Sequence, residues 1–212
     1  AYEKQSGNSV EWWNGLKHYD RVYMAKVFDN TYSEDMRYVI NADEVIIGGT
    51  GYGLDNKLPL EIEHIYPDYG LYNITDTAYG FLSRGCPRHC KFCIIGDKEG
   101  LISHKVADIT EFYRGQKHIE ILDPNILACK DRAELLDQII ETGAAGNFNQ
   151  GLDIRLLDKS TAEQLNKIKT TCLHFAWDNY EEHTRGCLER ARNWLTKDPK
   201  HILVYVLTIF NT

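Results

Sequence analysis

Three cysteines fall within eight residues of this chain and limit what its central loop can do. They are Cys86, Cys90 and Cys93, in the run Arg84-Gly85-Cys86-Pro87-Arg88-His89-Cys90-Lys91-Phe92-Cys93. The C-x3-C-x2-C spacing places three soft thiolate ligands on one short loop. A cubic iron-sulfur cluster has four corner irons, so three thiolates leave one iron free to bind something other than protein. The sequence therefore predicts a 4Fe-4S cluster with Cys86, Cys90 and Cys93 as metal ligands.

Three alternatives remain for this loop: a zinc site, a disulfide with a spare thiol, and three unrelated buried cysteines. A structural zinc site normally needs a fourth protein ligand, and a short loop would point His89 away from the metal. A disulfide is disfavoured because no secretory segment precedes the loop. The other cysteines are far apart in the sequence, at Cys129, Cys172 and Cys187.

Positive charge and a glycine also mark the loop. Gly85 allows the backbone to turn tightly before the first cysteine. Arg84, Arg88 and Lys91 are expected to lower the pKa of the thiols and to offset the charge of an anionic cluster.

The composition is that of an ordinary globular chain, with 43% hydrophobic and 26% charged residues among 212. The longest apolar run, residues 202–210, is well short of the roughly 18 to 20 residues that span a bilayer, so no membrane is predicted. The net charge of -7 gives no overall footprint for nucleic acid, although local basic patches leave RNA open as a partner. Six cysteines without a secretory segment predict the cytoplasm.

Both ends of the sequence lead us to expect a fragment of a longer protein. It starts without methionine in what resembles the end of a helix at residues 1–5, and it stops just after the apolar run at 202–210. Such a run is typical of a buried parallel strand.

Residues 1–76 are predicted to form a small α/β region and linker, with strands at 9–13, 21–27 and 44–47. A glycine-rich run, Gly48-Gly49-Thr50-Gly51-Tyr52-Gly53, follows the last of these strands. No helix opens after it and the G-x-G-x-x-G pattern is not matched, so a tight loop is favoured over a nucleotide site.

Residues 77–212 alternate apolar strands with amphipathic helices, which predicts βα units and a parallel sheet. Asp131 with Glu134, and Ser160 with Glu163, are predicted to cap two of the helices. The strands are predicted at 79–83, 119–122, 147–154, 172–177 and 202–210, and the helices at 106–113, from 131 to about 143, from 160, and at 181–195.

Polar side chains recur where these strands end. Because the carboxyl ends of parallel strands converge in β/α barrels, these side chains are expected to share one site. The set combines carboxylates, amides and one guanidinium: Asp123, Asn125, Gln150, Asp153, Arg155 and Asp178. A turn, a helix cap or a salt bridge such as Asp153 with Arg155 is the structural alternative.

The cysteine spacing, with an aromatic residue just before the third cysteine, resembles the signature of the radical S-adenosylmethionine (radical SAM) superfamily. The resemblance implies a partial (β/α)6 barrel at 77–212, truncated at its C-terminal end, and SAM bound through the open iron. Asp123 or Asn125 lies where such proteins contact the SAM amino group, although their usual Gly-Gly-Glu motif is absent. It further implies that Arg155 clamps the carboxylate and that Phe92 lies beside adenine. Gln150, Asp153 and Asp178 would reach the ribose or the substrate.

The order of parts is similar to that of cobalamin-domain radical SAM proteins, in which a Rossmann-like domain precedes the barrel. Residues 78–87 look like the barrel entrance of that group. The usual cobalamin-ligand motif, Asp-x-His-x-x-Gly, does not occur in this chain, so residues 1–76 could instead be a scaffold that positions substrate.

The resemblance implies an enzyme that reductively cleaves SAM to a 5'-deoxyadenosyl radical, which abstracts hydrogen from an unidentified substrate. A reductant such as flavodoxin or ferredoxin would supply the electron. One alternative is a methylthiotransferase or methyltransferase of the same superfamily acting on tRNA or a peptide. Another is a zinc or iron-sulfur module with a structural purpose only. No catalytic residue is assigned, because substrate specificity in this superfamily depends on loops and added domains whose roles cannot be assigned from this sequence.

Overall fold

The computed structural model describes residues 1–28, 37, 40–170, 172–178, 184–196 and 202–207. The chain divides into two compact units, residues 1–73 and 74–212. The boundary drawn from the sequence, between 76 and 77, falls close to this division. None of the helices in the described ranges has the length and apolar character needed to cross a membrane.

A two-stranded parallel sheet forms the centre of the first unit. Strand β1 (Tyr19–Ala25) pairs with β2 (Ala42–Gly48), which confirms the predicted strands at 21–27 and 44–47. The described residues of this unit also form two short helices, α1 (Tyr2–Gln5) and α2 (Leu60–Glu63), and a 3-10 turn at Tyr69–Tyr72.

The predicted strand at 9–13 is wrong, because these residues carry no ladder. Instead, the Trp12 indole N–H donates to the carbonyl of Leu71 at 2.9 Å, and its ring meets that of Tyr72 edge-on at 5.0 Å. The apolar residues in this segment are therefore used by side-chain contacts rather than by strand pairing.

The glycine-rich loop after β2 packs tightly against the end of β1. The N–H of Gly51 donates to the carbonyl of Lys26 at 3.0 Å. A Cβ on Gly51 would lie 1.9 Å from the carbonyl oxygen of Phe28, and a Cβ on Gly49, whose φ is +83°, would lie 2.4 Å from that of Lys26. The tight loop predicted from sequence is confirmed, and close approach of two backbones explains the glycines.

Replacing Gly51 with alanine should therefore lower the free energy of unfolding by about 1 to 3 kcal/mol, as overpacking does in well-packed interiors. Gly48→Ala is the matched control, since nothing lies within 4 Å of its Cβ position. Urea titrations followed by tryptophan fluorescence would measure both. Equal stability of the two variants would contradict the close approach.

The second unit contains parallel strands with helices between them. Its described strands are β3 (Thr77–Gly80), β4 (Ser83–Arg84), β5 (His104–Lys105), β6 (His118–Ile121), β7 (Ala145–Phe148), β8 (Leu173–Trp177) and β9 (Ile202–Val206). Its described helices are α3 (Ile95–Glu99), α4 (Arg132–Thr142), α5 (Lys159–Lys167) and α6 (Thr184–Trp194).

Strands β3, β6 and β7 form one parallel sheet in that order, and β8 and β9 form a second parallel pair. Isolated parallel bridges, Ala145 with Lys169 and Leu152 with Phe175, lie between the two sheets. The fold is therefore mixed α/β with small parallel sheets, as the alternating pattern predicted. The strands within the described ranges do not close into a barrel.

Apolar burial explains why these segments pair. Ala78, Ile119 and Ile121 of neighbouring strands are all fully or almost fully buried. Helix α4 buries Leu135, Leu136 and Ile139 on one face and ends at Gly143 with φ of +64°, as predicted.

Four local predictions in this unit are wrong. The strand predicted at 147–154 ends at Phe148 and is followed by a turn. Residues 106–113 form only a 3-10 turn, Ile109–Glu111. Asp131 makes no side-chain capping bond at the start of α4. Helix α5 is capped by Asp158, whose carboxylate accepts from the N–H of Thr161 at 2.7 Å, rather than by Ser160. The predicted helix start at 181–183 and the strand residues 208–210 lie outside the described residues.

Candidate metal centre

The cysteine loop is enclosed by a short antiparallel hairpin. Strands β4 and β5 pair Ser83 with Lys105 and Arg84 with His104, so residues 85–103 form a loop whose ends are held together. Inside it, the N–H of Cys86 donates to the carbonyl of Gly100 at 3.1 Å. The first cysteine is thereby fixed to the residue that follows α3.

Glu99, the last residue of α3, orders the entrance to this loop. Its carboxylate accepts from the Arg84 guanidinium at 2.9 Å and from the N–H of Gly85 at 3.3 Å. The Glu99 side chain is 7% exposed, and Arg84 also lies over the ring of Phe81 at 3.9 Å. These contacts show that Glu99 fixes the conformation of the chain at the start of the loop.

Three residues of the loop have a positive φ: Gly85, His89 and Gly100, the last with φ of +92°. Gly85 has φ of +86°, and a Cβ there would lie 2.2 Å from the carbonyl oxygen of Ile102. His89, between the first two cysteines, has φ of +48° and is exposed. Glycine is therefore required at position 85, as the tight turn predicted from sequence needs.

The three thiols are close enough to influence one another. All three are free and partly buried. Burial raises the pKa of Cys90, and the charges of Asp178, Cys93 and Cys86 raise it further, while Arg155 opposes them. The charges that act on the Cys90 thiol thus include those of Asp178, which follows β8, and of Arg155.

The expectation that flanking basic residues lower the thiol pKa is wrong for Cys90, whose pKa is raised. Two of those residues are engaged elsewhere, since Arg84 pairs with Glu99 and Arg88 pairs with Asp153. The carboxylates of Glu99 and Asp153 largely offset the positive charges of Arg84 and Arg88, which weakens the effect of these arginines on the pKa of Cys90.

Asp153 joins the cysteine loop to the turn that follows β7. Its carboxylate accepts from the Arg88 guanidinium at 2.5 Å and from the Arg155 Nε at 2.7 Å. Although burial opposes it, the bonds and charges of Arg155 and Arg88 lower the pKa of Asp153. The carboxylate is thus ionised at neutral pH and holds both arginines.

Asn125, in the loop after β6, completes this connection. Its side-chain Nδ2 donates to Cys86 Sγ at 3.5 Å and to Asp153 Oδ2 at 3.4 Å. The residue is 3% exposed, and its Oδ1 has no hydrogen-bond partner among the described residues. A buried amide thus contacts a predicted metal ligand directly.

Asp123 binds the chain at the start of β4 through hydrogen bonds to Leu82 and Ser83. Its carboxylate accepts from the N–H of Leu82 at 2.8 Å, the N–H of Ser83 at 2.6 Å and the Ser83 hydroxyl at 2.5 Å. The residue is 4% exposed, and burial raises its pKa to about 6 against the lowering effect of these donors. Both oxygens are therefore bonded to the chain itself.

Hydrogen bonds join Asn125, Asp153 and Arg155 to one another and to Cys86, whereas Asp178 is linked to the cysteines only by the effect of its charge on Cys90. Phe92 lies in the turn before Cys93 with 43% of its surface exposed. Gln150 lies in an exposed turn after β7. The salt bridge between Asp153 and Arg155, the structural alternative weighed from sequence, is present.

Sequence reasoning did not assign Arg88 or Asn125 to the contacts that they make. Arg88 and Asp153 are 65 residues apart, and no local pattern pairs them. The signal that could have pointed to Arg88 is its position between two cysteines, where a cation must be balanced if it is buried.

Three thiols on one loop are the donor set that iron-sulfur clusters use, and the buried, unpartnered Asn125 Oδ1 beside Cys86 is consistent with a further polar group at this site. Across the described ranges, no three His, Cys, Asp or Glu side chains already converge to hold a single metal ion. The fit to a cluster therefore rests on the chemistry of the three thiolate donors and on their position in one loop, not on an assembled metal site.

Comparisons with protein families, with curated proteins and with solved structures found no match to this chain.

Proposed function

We propose that this chain binds a 4Fe-4S cluster and SAM and acts as a radical SAM enzyme. The observation that carries the proposal is the clasped loop with Cys86, Cys90 and Cys93, next to polar residues from the ends of several parallel strands. Sites in parallel β/α folds form where such strand ends converge. When bound and reduced, the cluster supplies the electron that cleaves SAM to a 5'-deoxyadenosyl radical and methionine.

The chain's own residues bind and orient in this proposal. Cys86, Cys90 and Cys93 hold the cluster as thiolates. Arg155 donates its Nε and Nη2 to Asp153 at 2.7 and 3.2 Å, and in this proposal its positive charge attracts the carboxylate of SAM. Arg88 ties the cysteine loop to the same aspartate and keeps the two parts of the site in register.

The proposal also includes an architecture. We propose that the parallel strands of residues 77–212 are part of a (β/α)6 barrel and that the first unit is a Rossmann-like scaffold. We further propose an external electron donor, such as flavodoxin or ferredoxin, and a location in the cytoplasm.

The test is anaerobic reconstitution with iron and sulfide, followed by electron paramagnetic resonance of the dithionite-reduced protein with and without SAM. We expect a reduced 4Fe-4S signal that changes when SAM is added. In Cys90→Ala the signal should fall by at least about tenfold, because one of the three thiolate ligands is gone.

Cys172→Ala is the matched control, since Cys172 is also free and partly buried but lies outside the loop. Its signal should equal that of the unaltered protein. A protein that takes up one zinc and no cluster, or a cluster whose signal is indifferent to SAM, would support a structural module and overturn the proposal.

A further inference from the structure

A hydrogen bond to one of the three cysteine sulfurs is already built into the fold. Asn125 Nδ2 lies 3.5 Å from Cys86 Sγ. Neither the sequence nor the proposed function assigns this contact. A hydrogen bond donated to a metal-bound sulfur is one of the means by which a protein sets the reduction potential of a cluster.

The position of the Asn125 side chain is fixed from several directions. The Ser103 hydroxyl donates to its backbone carbonyl at 3.0 Å, and its Nδ2 also donates to Asp153 Oδ2 at 3.4 Å. Asp153 is in turn held by Arg88 and Arg155. A residue that is 3% exposed and held in this way keeps its amide beside the sulfur.

The orientation of the amide follows from electrostatics. With the amide as placed, the N–H groups face two acceptors, the Asp153 carboxylate and the Cys86 sulfur. Turning the amide over would place its oxygen against an ionised carboxylate, which repels it. The carboxylate of Asp153 therefore selects the orientation in which Asn125 donates to Cys86.

We propose that Asn125 is a positioning residue that raises the reduction potential of the cluster through its hydrogen bond to Cys86 Sγ. The inference rests on the proposed function, because it requires a cluster at this loop. Reduction adds one negative charge to the cluster and its thiolates. A donor directed at a thiolate sulfur stabilises that added charge, so the reduced state is favoured.

The variants Asn125→Leu and Asn125→Asp test the contact. Leucine has similar size without a donor, and aspartate replaces the donor with a carboxylate. At the potential where the unaltered cluster is half reduced, we expect the ratio of reduced to oxidised cluster in Asn125→Leu to fall about tenfold, a shift of about 59 mV for one electron. Asn125→Asp should shift the potential further in the same direction.

The measurement is a redox titration of the reconstituted protein, followed by electron paramagnetic resonance of the reduced cluster. Asn147→Leu is the control: Asn147, in β7, also has an unpartnered side-chain Oδ1 among the described residues, but it donates to Glu120 and Asn149. Its potential should match that of the unaltered protein. Asn125 variants that keep a full cluster and an unchanged potential would overturn the inference.

A second measurement, made on the unaltered protein, does not depend on whether the Asn125 variants fold. Protein labelled with nitrogen-15 at asparagine should show a nitrogen coupling to the reduced cluster in pulsed electron paramagnetic resonance. The coupling should persist in labelled Asn147→Leu. If the unaltered protein shows a cluster but no such coupling, the hydrogen bond is absent and the inference fails.

The two failures are distinguishable. If the unaltered protein binds no cluster, both the proposed function and the inference are wrong. If it binds a cluster that responds to SAM, but the reduction potential and the nitrogen coupling do not depend on Asn125, only the inference is wrong.

Discussion

Replacing Asp153 with asparagine is expected to lower the free energy of unfolding by about 2 to 3 kcal/mol, less than for a fully buried pair because the arginines are partly exposed. The Asp153 side chain is 6% exposed and holds both Arg88 and Arg155. Removing its charge leaves two guanidinium groups, 30% and 24% exposed, without the partner that offsets their partial desolvation. The connection between the cysteine loop and the turn after β7 is lost with it.

Urea unfolding near pH 7 would measure this effect, with Asp76→Asn as control. Asp76 pairs with Lys117 at 3.8 Å on an exposed surface, so its loss should cost less than about 1 kcal/mol. The pKa of Asp153 is lowered in the fold, so its contribution is present above its ordinary pKa and is lost as pH falls through the folded value. Equal effects of the two variants at pH 7 would contradict the central position of Asp153.

Asp123 should give the opposite dependence on pH. Its pKa is raised from 3.8 to about 6 by burial, so between these values the folded protein binds a proton more tightly than the unfolded chain. Stability is therefore greatest with the proton bound, and it falls by about 3 kcal/mol as pH rises from 4 to above 6. The three donors from Leu82 and Ser83 oppose this loss without reversing it.

The comparison of the unaltered protein with Asp123→Asn isolates that titration, because all other groups are shared. Urea unfolding at several pH values from 4 to 7 should show the variant gaining stability relative to the unaltered protein as pH rises. A difference that stays flat, or that changes in the opposite direction, would mean that the three hydrogen bonds outweigh burial and that the pKa of Asp123 is not raised.

Sequence patterns identified the apolar strands of the second unit well because burial leaves a direct mark on composition. Residues 119–122 and 172–177 are apolar at most positions, and strands β6 and β8 lie there. The end of α4 at Gly143 was equally legible, because a left-handed residue favours glycine. The segment 9–13 has apolar residues too, but aromatic side-chain contacts use them.

The candidate site was only partly predictable. Residues at strand ends could be expected to meet, and hydrogen bonds do join Asn125 to Cys86 and Asp153, while the charge of Asp178 acts on Cys90. Which carboxylate pairs with which cation depends on contacts across tens of residues, as in Arg88 with Asp153. Asp123 illustrates the same limit, since its bonds to the backbone of Leu82 and Ser83 could not be distinguished from a ligand-binding role by its position after β6.

The hairpin of β4 and β5 makes residues 85–103 a separable insert. Pairing of β4 with β5 holds the two ends of the insert side by side. This pairing, and not a bound ligand, offsets the conformational entropy that the chain loses when a loop of this length is closed. Changes in the length of α3, in the middle of the insert, need not propagate into the parallel strands. A new loop sequence between Arg84 and His104 must keep the contacts of Gly85 and Glu99 at the entrance. It must also keep the bonds that join the insert to the rest of the second unit, which are Arg88 with Asp153, Cys86 with Asn125, and Ser103 with the carbonyl of Asn125.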